Sequence, residues 1–196
     1  MKKFAVVCGP GRSGTSLATK LVSSCGFNFG KCLPPNKEGS LRHGYGEHSL
    51  TNAQGTDIDA AIDKLEAEGA SACKLIHLYA QWIPKLQSRG YEVYIVVTSR
   101  DVNEIWASGM DIYPNWRPNA IGAICGTADR ILKETQRYLK SKKYKAYHLP
   151  FGKVVRRDNT TLKGLCDFLG DGDVGILKSI IRPEIVQHDK LAKQKQ

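Results

Sequence analysis

Phe4-Ala5-Val6-Val7-Cys8-Gly9-Pro10-Gly11-Arg12-Ser13-Gly14-Thr15-Ser16 begins as an unbroken apolar run and ends as a glycine loop rich in hydroxyls. A continuous apolar run of this length is the pattern of a strand buried on both faces, as parallel strands are. A helix is expected to open directly after the loop, over Gly14–Cys25. Glycines let backbone N–H groups turn toward an anion, and a helix N-terminus adds partial positive charge at the same place. The segment therefore reads as a phosphate cradle joining a buried strand to a helix.

The same pattern continues outward from this segment. Short apolar runs predict strands at Lys3–Cys8, Ala70–Ile76, Glu92–Ser99 and Lys145–Leu149. Amphipathic stretches predict helices at Gly14–Cys25, Asp57–Glu68, Tyr79–Arg89, Asn103–Gly109, Asn119–Lys142 and Thr160–Leu169, with a weaker one after Val174. Strands alternating with helices imply an α/β fold, a parallel sheet flanked by helices on both faces. The 196 residues, 41% of them apolar, suit one domain spanning 1–196 with one sizeable core. Between Gly26 and Thr56 the chain is rich in Gly, Pro, Asn and Ser and has no strand pattern. So long a connection in a compact domain is usually functional or disordered. Its place directly after the cradle favours function.

Composition narrows the classes further. No run approaches the roughly 18 apolar residues of a membrane span, and Gly9, Pro10 and Arg12 interrupt the first apolar run, so a soluble, cytoplasmic protein with no membrane partner is expected. Six cysteines without a C-x-x-C pair offer neither zinc-ligand nor thioredoxin-like spacing; they read as reduced thiols, with a Cys25–Cys32 disulfide left open. No metal site is expected. The formal charge is +10, and Asp129 to Asp158 holds ten Lys or Arg against three acids. That local field favours anionic partners, although a solvated helix face is the simpler account of Arg130 to Lys145.

Three phosphate-loop patterns compete for the cradle. Gly9, Gly11 and Gly14 satisfy G-x-G-x-x-G, but no second strand with a ribose-binding acid follows, so the dinucleotide reading fails on context. Gly9 and Gly14 also have the separation of the nucleotide-triphosphate loop G-x-x-x-x-G-K-[ST], yet Thr15 stands where its lysine belongs. A nucleotide kinase is thereby an alternative rather than the first choice. The third pattern takes the loop as it stands, with Arg12 inside the cradle followed by the hydroxyls of Ser13, Thr15 and Ser16. It resembles the P-R-S-G-T-[ST] phosphosulfate loop of the sulfotransferase family, with Gly11 in place of the usual proline.

Other segments carry the same resemblance. Ser99-Arg100-Asp101-Val102-Asn103-Glu104-Ile105-Trp106-Ala107-Ser108 is similar to the family's R-[DN]-P-x-x-x-x-x-S element, with Val102 in place of the proline. Leu165-Cys166-Asp167-Phe168-Leu169-Gly170 looks like its late helix ending in F-L-G. Asn36-Lys37-Glu38-Gly39 with Gly44-Tyr45-Gly46-Glu47 resembles its N-x-x-G-Y-x-E stretch, split by an insertion. The resemblance implies a P-loop NTPase-like sulfotransferase fold binding 3′-phosphoadenosine-5′-phosphosulfate. It implies that Gly11, Arg12, Ser13, Gly14, Thr15 and Ser16 hold the 5′-phosphosulfate, that Arg100 and Ser108 hold the 3′-phosphate, and that Arg12 and Glu47 are catalytic. Lys74 resembles a lysine the family keeps before its third helix, placed to touch sulfate or to cap the sheet. Lys153, Arg156 and Arg157 stand where the family often has a basic loop, without its R-K-G form.

The acceptor must lose a proton as it attacks, and His43, His48 and His77 are alternatives to Glu47 for that task. The acceptor itself is expected to be a small molecule or a glycan, in a pocket drawing on Gly26–Thr56 and Tyr113–Pro118. A noncatalytic module for nucleic acid or acidic polymers, using Asp129 to Asp158, is the remaining alternative, with nucleic acid the less favoured partner.

Overall fold

The computed structural model describes residues 1–31, 57–76, 81–112 and 118–181. Along the chain run β1 (Lys2–Cys8), α1 (Thr15–Ser24), α2 (Ile58–Ala67), β2 (Ala72–Leu75), α3 (Trp82–Ser88), β3 (Tyr91–Ser99), α4 (Val102–Ile112), α5 (Pro118–Ser141), β4 (Ala146–Pro150), α6 (Phe151–Val155), α7 (Asn159–Leu169) and α8 (Val174–Ile180). The strands form one sheet in the order β2-β1-β3-β4, and every pairing is parallel. The expected α/β class is therefore observed.

Alternate residues of the central strands feed two separate cores. Ala5, Val7, Ala72 and Val96 face one side, against Leu21 and Val22 of α1, Leu162 and Leu165 of α7 and Leu177 of α8. Phe4, Val6, Cys8, Cys73, Ile95 and Val97 face the other, against Ile62 and Leu65 of α2, Trp82, Ile83 and Leu86 of α3 and Leu139 of α5. Burial on both faces is why Phe4–Cys8 of β1 and the middle of β3 are continuously apolar rather than alternating.

Most element ends follow local chemistry. Asp57 caps α2 by accepting from the backbone N–H of Asp59 and Ala60, and Asp158 caps α7 through Thr161 N–H at 2.8 Å and the Thr161 hydroxyl at 2.6 Å. Gly170 closes α7 in the left-handed conformation, φ 77°. Two expectations shift. β2 covers only Ala72–Leu75 of the expected Ala70–Ile76, and α4 runs on to Ile112 instead of stopping at Gly109. The short helix α6 is absent from the expected set.

Cys8, Cys25, Cys73, Cys125 and Cys166 are buried free thiols, and burial pushes Cys8 up to about 12, far from the reactive thiolate range. Cys32, the other half of the disulfide left open, lies outside the described residues. Among the described residues no helix is long and apolar enough to cross a membrane.

Because the two cores share no residue, truncations on opposite sides should act independently. Ile62→Ala and Leu165→Ala, both fully buried, are each expected to cost about 2–5 kcal/mol in urea unfolding. The double variant should lose their sum to within about 0.5 kcal/mol. A marked departure from additivity would mean that the sheet does not separate the cores.

Candidate functional site

Topology brings the glycine loop and the Arg100–Ser108 segment together. β1 connects onward to β2 on one side while β3 connects to β4 on the other, so the chain diverges at the carboxyl ends of two adjacent strands. Open parallel sheets bind ligands in that crevice. The glycine loop leaves β1 there, and Arg100 leaves β3 beside it.

The loop is clamped from below. Ser13 is fully buried and its hydroxyl lies 2.6 Å from that of Thr98 on β3, which in turn donates to the Cys8 carbonyl at 3.4 Å. Gly9 lies so close to β3 that a Cβ there would fall 2.2 Å from the Thr98 hydroxyl oxygen. Ser13 N–H closes the turn on the Pro10 carbonyl at 3.1 Å, and Arg12 takes up a left-handed conformation, φ 67°. Non-glycine residues held this way cluster at functional sites. Ser13 thus meets the site through its backbone, because its hydroxyl is bound to Thr98.

Above this base, the start of α1 presents its backbone. Its N-cap is Gly14, with no side-chain cap and no acid in the first turn, whereas α2, α7 and α8 are capped by Asp57, Asp158 and Asp173. Uncapped N–H groups at a helix start favour an anion. Thr15 and Ser16 belong to this first turn, with Thr15 buried and its carbonyl accepting from the Thr19 hydroxyl at 2.8 Å.

Cationic side chains surround the cradle. Arg12 donates through Nε and Nη2 to the Ser108 hydroxyl at 3.3 and 3.0 Å, so the loop arginine touches the serine of the second motif. Arg100 donates through Nε to Glu104 at 3.0 Å and through Nη1 to the Arg12 carbonyl at 3.3 Å. Glu104 and Ser108 lie one turn apart on α4, which is why one helix face meets both arginines. Burial pushes the Arg100 guanidinium down while Glu104 pulls it back up; arginine stays charged throughout. Lys74, 2% exposed at the end of β2, donates from Nζ to the Ser16 hydroxyl at 3.1 Å.

No family model, curated protein or solved structure matches the chain. The site must therefore be read from its own chemistry.

That chemistry suits an anion: backbone donors at a helix start, with Arg12, Arg100 and Lys74 around them. Of the residues expected from the sequence, Gly11 through Ser16, Arg100, Ser108 and Lys74 come together in one place. Glu47, His43, His48, His77 and most of the Tyr113–Pro118 turn lie outside the described residues. Arg157 is directed away, donating to the Ile181 carbonyl at 2.8 Å. Sequence reasoning missed three contributors. Thr98 carried a signal, a hydroxyl at the inner end of an apolar strand, and Glu104 carried another, four residues after Arg100. Phe151 carried none: it follows β4, packs on Gly14, and lies under Arg100 with 4.2 Å from Cζ to the ring centroid.

The loop's glycines differ in what they permit. Gly14 has φ 92° and a Cβ there would sit 2.3 Å from the Phe151 ring, while nothing lies within 4 Å of a Cβ on Gly11. Gly14→Ala is expected to cost about 1–3 kcal/mol in denaturant unfolding, and Gly11→Ala to stay within about 0.5 kcal/mol of wild type. Equal effects would contradict this loop geometry.

Proposed function

We propose that this chain is a sulfotransferase that moves a sulfuryl group from 3′-phosphoadenosine-5′-phosphosulfate to a hydroxyl or amine acceptor. The observation that carries the reading is the gathering of Arg12, Arg100, Ser108 and Lys74 around a phosphate loop that has threonine, not lysine, at position 15. The cradle fits a nucleotide phosphate, since its backbone donors are uncapped at the start of α1, while Gly9 and Gly14 let the loop close against Thr98 and Phe151. The phosphosulfate supplies a sulfuryl group already attached to a phosphate leaving group.

The chain's own residues then divide the work. The first N–H groups of α1, with Thr15 and Ser16, hold the 5′-phosphate. Arg12, with Lys74 beside Ser16, neutralises the negative charge that builds on the bridging oxygen as the bond to sulfur breaks, where fixed donors act most strongly. Arg100 and Ser108 hold the 3′-phosphate. Glu47 takes the acceptor proton, and the acceptor, a small molecule or a glycan, lies against the segment after α1.

One observation favours a second reading. Lys74 brings an amino group to Ser16, next to the position where a kinase loop carries its lysine, so a nucleotide kinase using a lysine from β2 has a structural basis. Thermal shift separates the two. Adenosine 3′,5′-bisphosphate without Mg²⁺ is expected to stabilise the chain by about 2.7 kcal/mol at a hundredfold excess over its Kd. Stabilisation by ATP only with Mg²⁺ would transfer the assignment to the kinase. A salt-sensitive response to oligonucleotide alone would transfer it to the binding module.

Arg100→Ala should weaken the bisphosphate by about 1.5–3 kcal/mol, the worth of a charge-assisted contact. Arg12→Ala should fall mainly on turnover. Unchanged bisphosphate affinity in Arg100→Ala would remove the 3′-phosphate from that arginine.

Glu47→Gln should leave fold and bisphosphate affinity intact while slowing sulfuryl transfer by about 10²–10⁴, the range for a positioned base. A panel of phenols, sugars and amines supplies the acceptor for this assay. Near wild-type turnover would exclude Glu47 and promote His77.

A further inference from the structure

We propose that Phe151 is a positioning residue for anion recognition, holding Arg100 so that its remaining N–H donors face the phosphate it binds. The inference rests on the reading that Arg100 meets a 3′-phosphate and names the residue that makes it able to do so.

Arg100 is held on several sides. Its side chain is 6% exposed. Nε is bound to Glu104 and Nη1 to the Arg12 carbonyl, so two of its five N–H donors are engaged among the described residues. The Phe151 ring lies beneath Cζ at 4.2 Å, within the range of a cation–π contact. A ring in that place shields the guanidinium from water without competing for its N–H groups, because phenylalanine carries no acceptor atom. What remains for a ligand, among the described residues, is both Nη2 donors and the second Nη1 N–H.

The backbone delivers Phe151 to this spot. Ser99 pairs with Pro150 at the end of the β3–β4 ladder, so Arg100 and Phe151 leave neighbouring strands side by side. The ring also packs on Gly14, where a Cβ would fall 2.3 Å from it. One side chain thus touches the helix start that receives one phosphate and the arginine assigned to the other. The conformation of Gly14 and the orientation of Arg100 are set against the same surface.

The test is titration calorimetry on the full chain with adenosine 3′,5′-bisphosphate and adenosine 5′-monophosphate. Phe151→Leu keeps an apolar side chain against Gly14 and removes the ring; it is expected to weaken the bisphosphate by about 2- to 30-fold and the monophosphate, which does not meet Arg100, by less. Phe151→Tyr should restore the wild-type preference. In an Arg100→Ala background, Phe151→Leu should cost the bisphosphate nothing further. Equal weakening of both nucleotides, or a full additional loss in the Arg100→Ala background, would overturn the proposal. If wild type binds both nucleotides equally, the 3′-phosphate reading fails instead. The role of Phe151 is then decided by a urea-unfolding cycle of Phe151→Leu and Arg100→Ala: non-additive losses sustain the coupling and additive losses overturn it.

Discussion

The bond between the hydroxyls of Ser13 and Thr98, 2.6 Å long and buried, ties the glycine loop to β3. Its net worth is on the order of 1 kcal/mol, but leaving either hydroxyl without the other in that dry place costs about 1–3 kcal/mol. More depends on it than stability. Thr98 lies two residues before Arg100, so the strand that anchors the loop also launches the second motif. Gly9 makes the approach close enough, and the turn of Ser13 N–H onto Pro10 sets Arg12 into its left-handed conformation. From there the Arg12 carbonyl receives Arg100 and the Arg12 side chain reaches Ser108. Loosening the clamp would move the two motifs relative to each other.

The surroundings of the clamp are electrostatically asymmetric. Arg12, Arg100 and Lys74 converge within reach of an uncapped helix start, and Glu104 offsets the charge of Arg100. Bringing cations together in a poorly hydrated place is unfavourable unless acceptors meet their donors. Ser108, Ser16, Glu104 and the Arg12 carbonyl do so here, tying the cations to α4, to α1 and to the glycine loop. An arriving polyanion would find these groups already oriented, so little of its binding energy would go into arranging them.

How much of this was legible in the sequence depended on whether the signal was local. β1 and β3 announce themselves through long apolar runs, and the helices capped by Asp57, Asp158 and Asp173 begin where a polar residue precedes an amphipathic stretch. The loop was legible because glycine spacing is itself local. By contrast, α6 has five residues, one of them glycine, too short to display a helical period. Its importance comes from Phe151 meeting Gly14, more than a hundred positions away in the chain. Ser13 was grouped with the ligand hydroxyls for the same reason: nothing near it in sequence reveals that Thr98 is its partner. Lys74 carried a readable clue, a charge inside the buried stretch Ala72-Cys73-Lys74-Leu75, although its contact with Ser16 emerged only in three dimensions.

The all-parallel order β2-β1-β3-β4 also dictates when the molecule can assemble. No strand is joined to its neighbour by a hairpin, so every ladder must close across a long stretch of chain, the kind of topology that folds slowly. β1 is made first, yet its partners lie at Ala72–Leu75 and Tyr91–Ser99. During synthesis the strand bearing the glycine loop therefore waits, apolar and unpaired, until β2 has emerged, and its other edge stays open until β3 follows. The cradle acquires its anchor only with Thr98 and its second motif only with Ser108, just past the middle of the 196 residues. Over that interval Phe4 to Cys8 is open to aggregation and to chaperone capture.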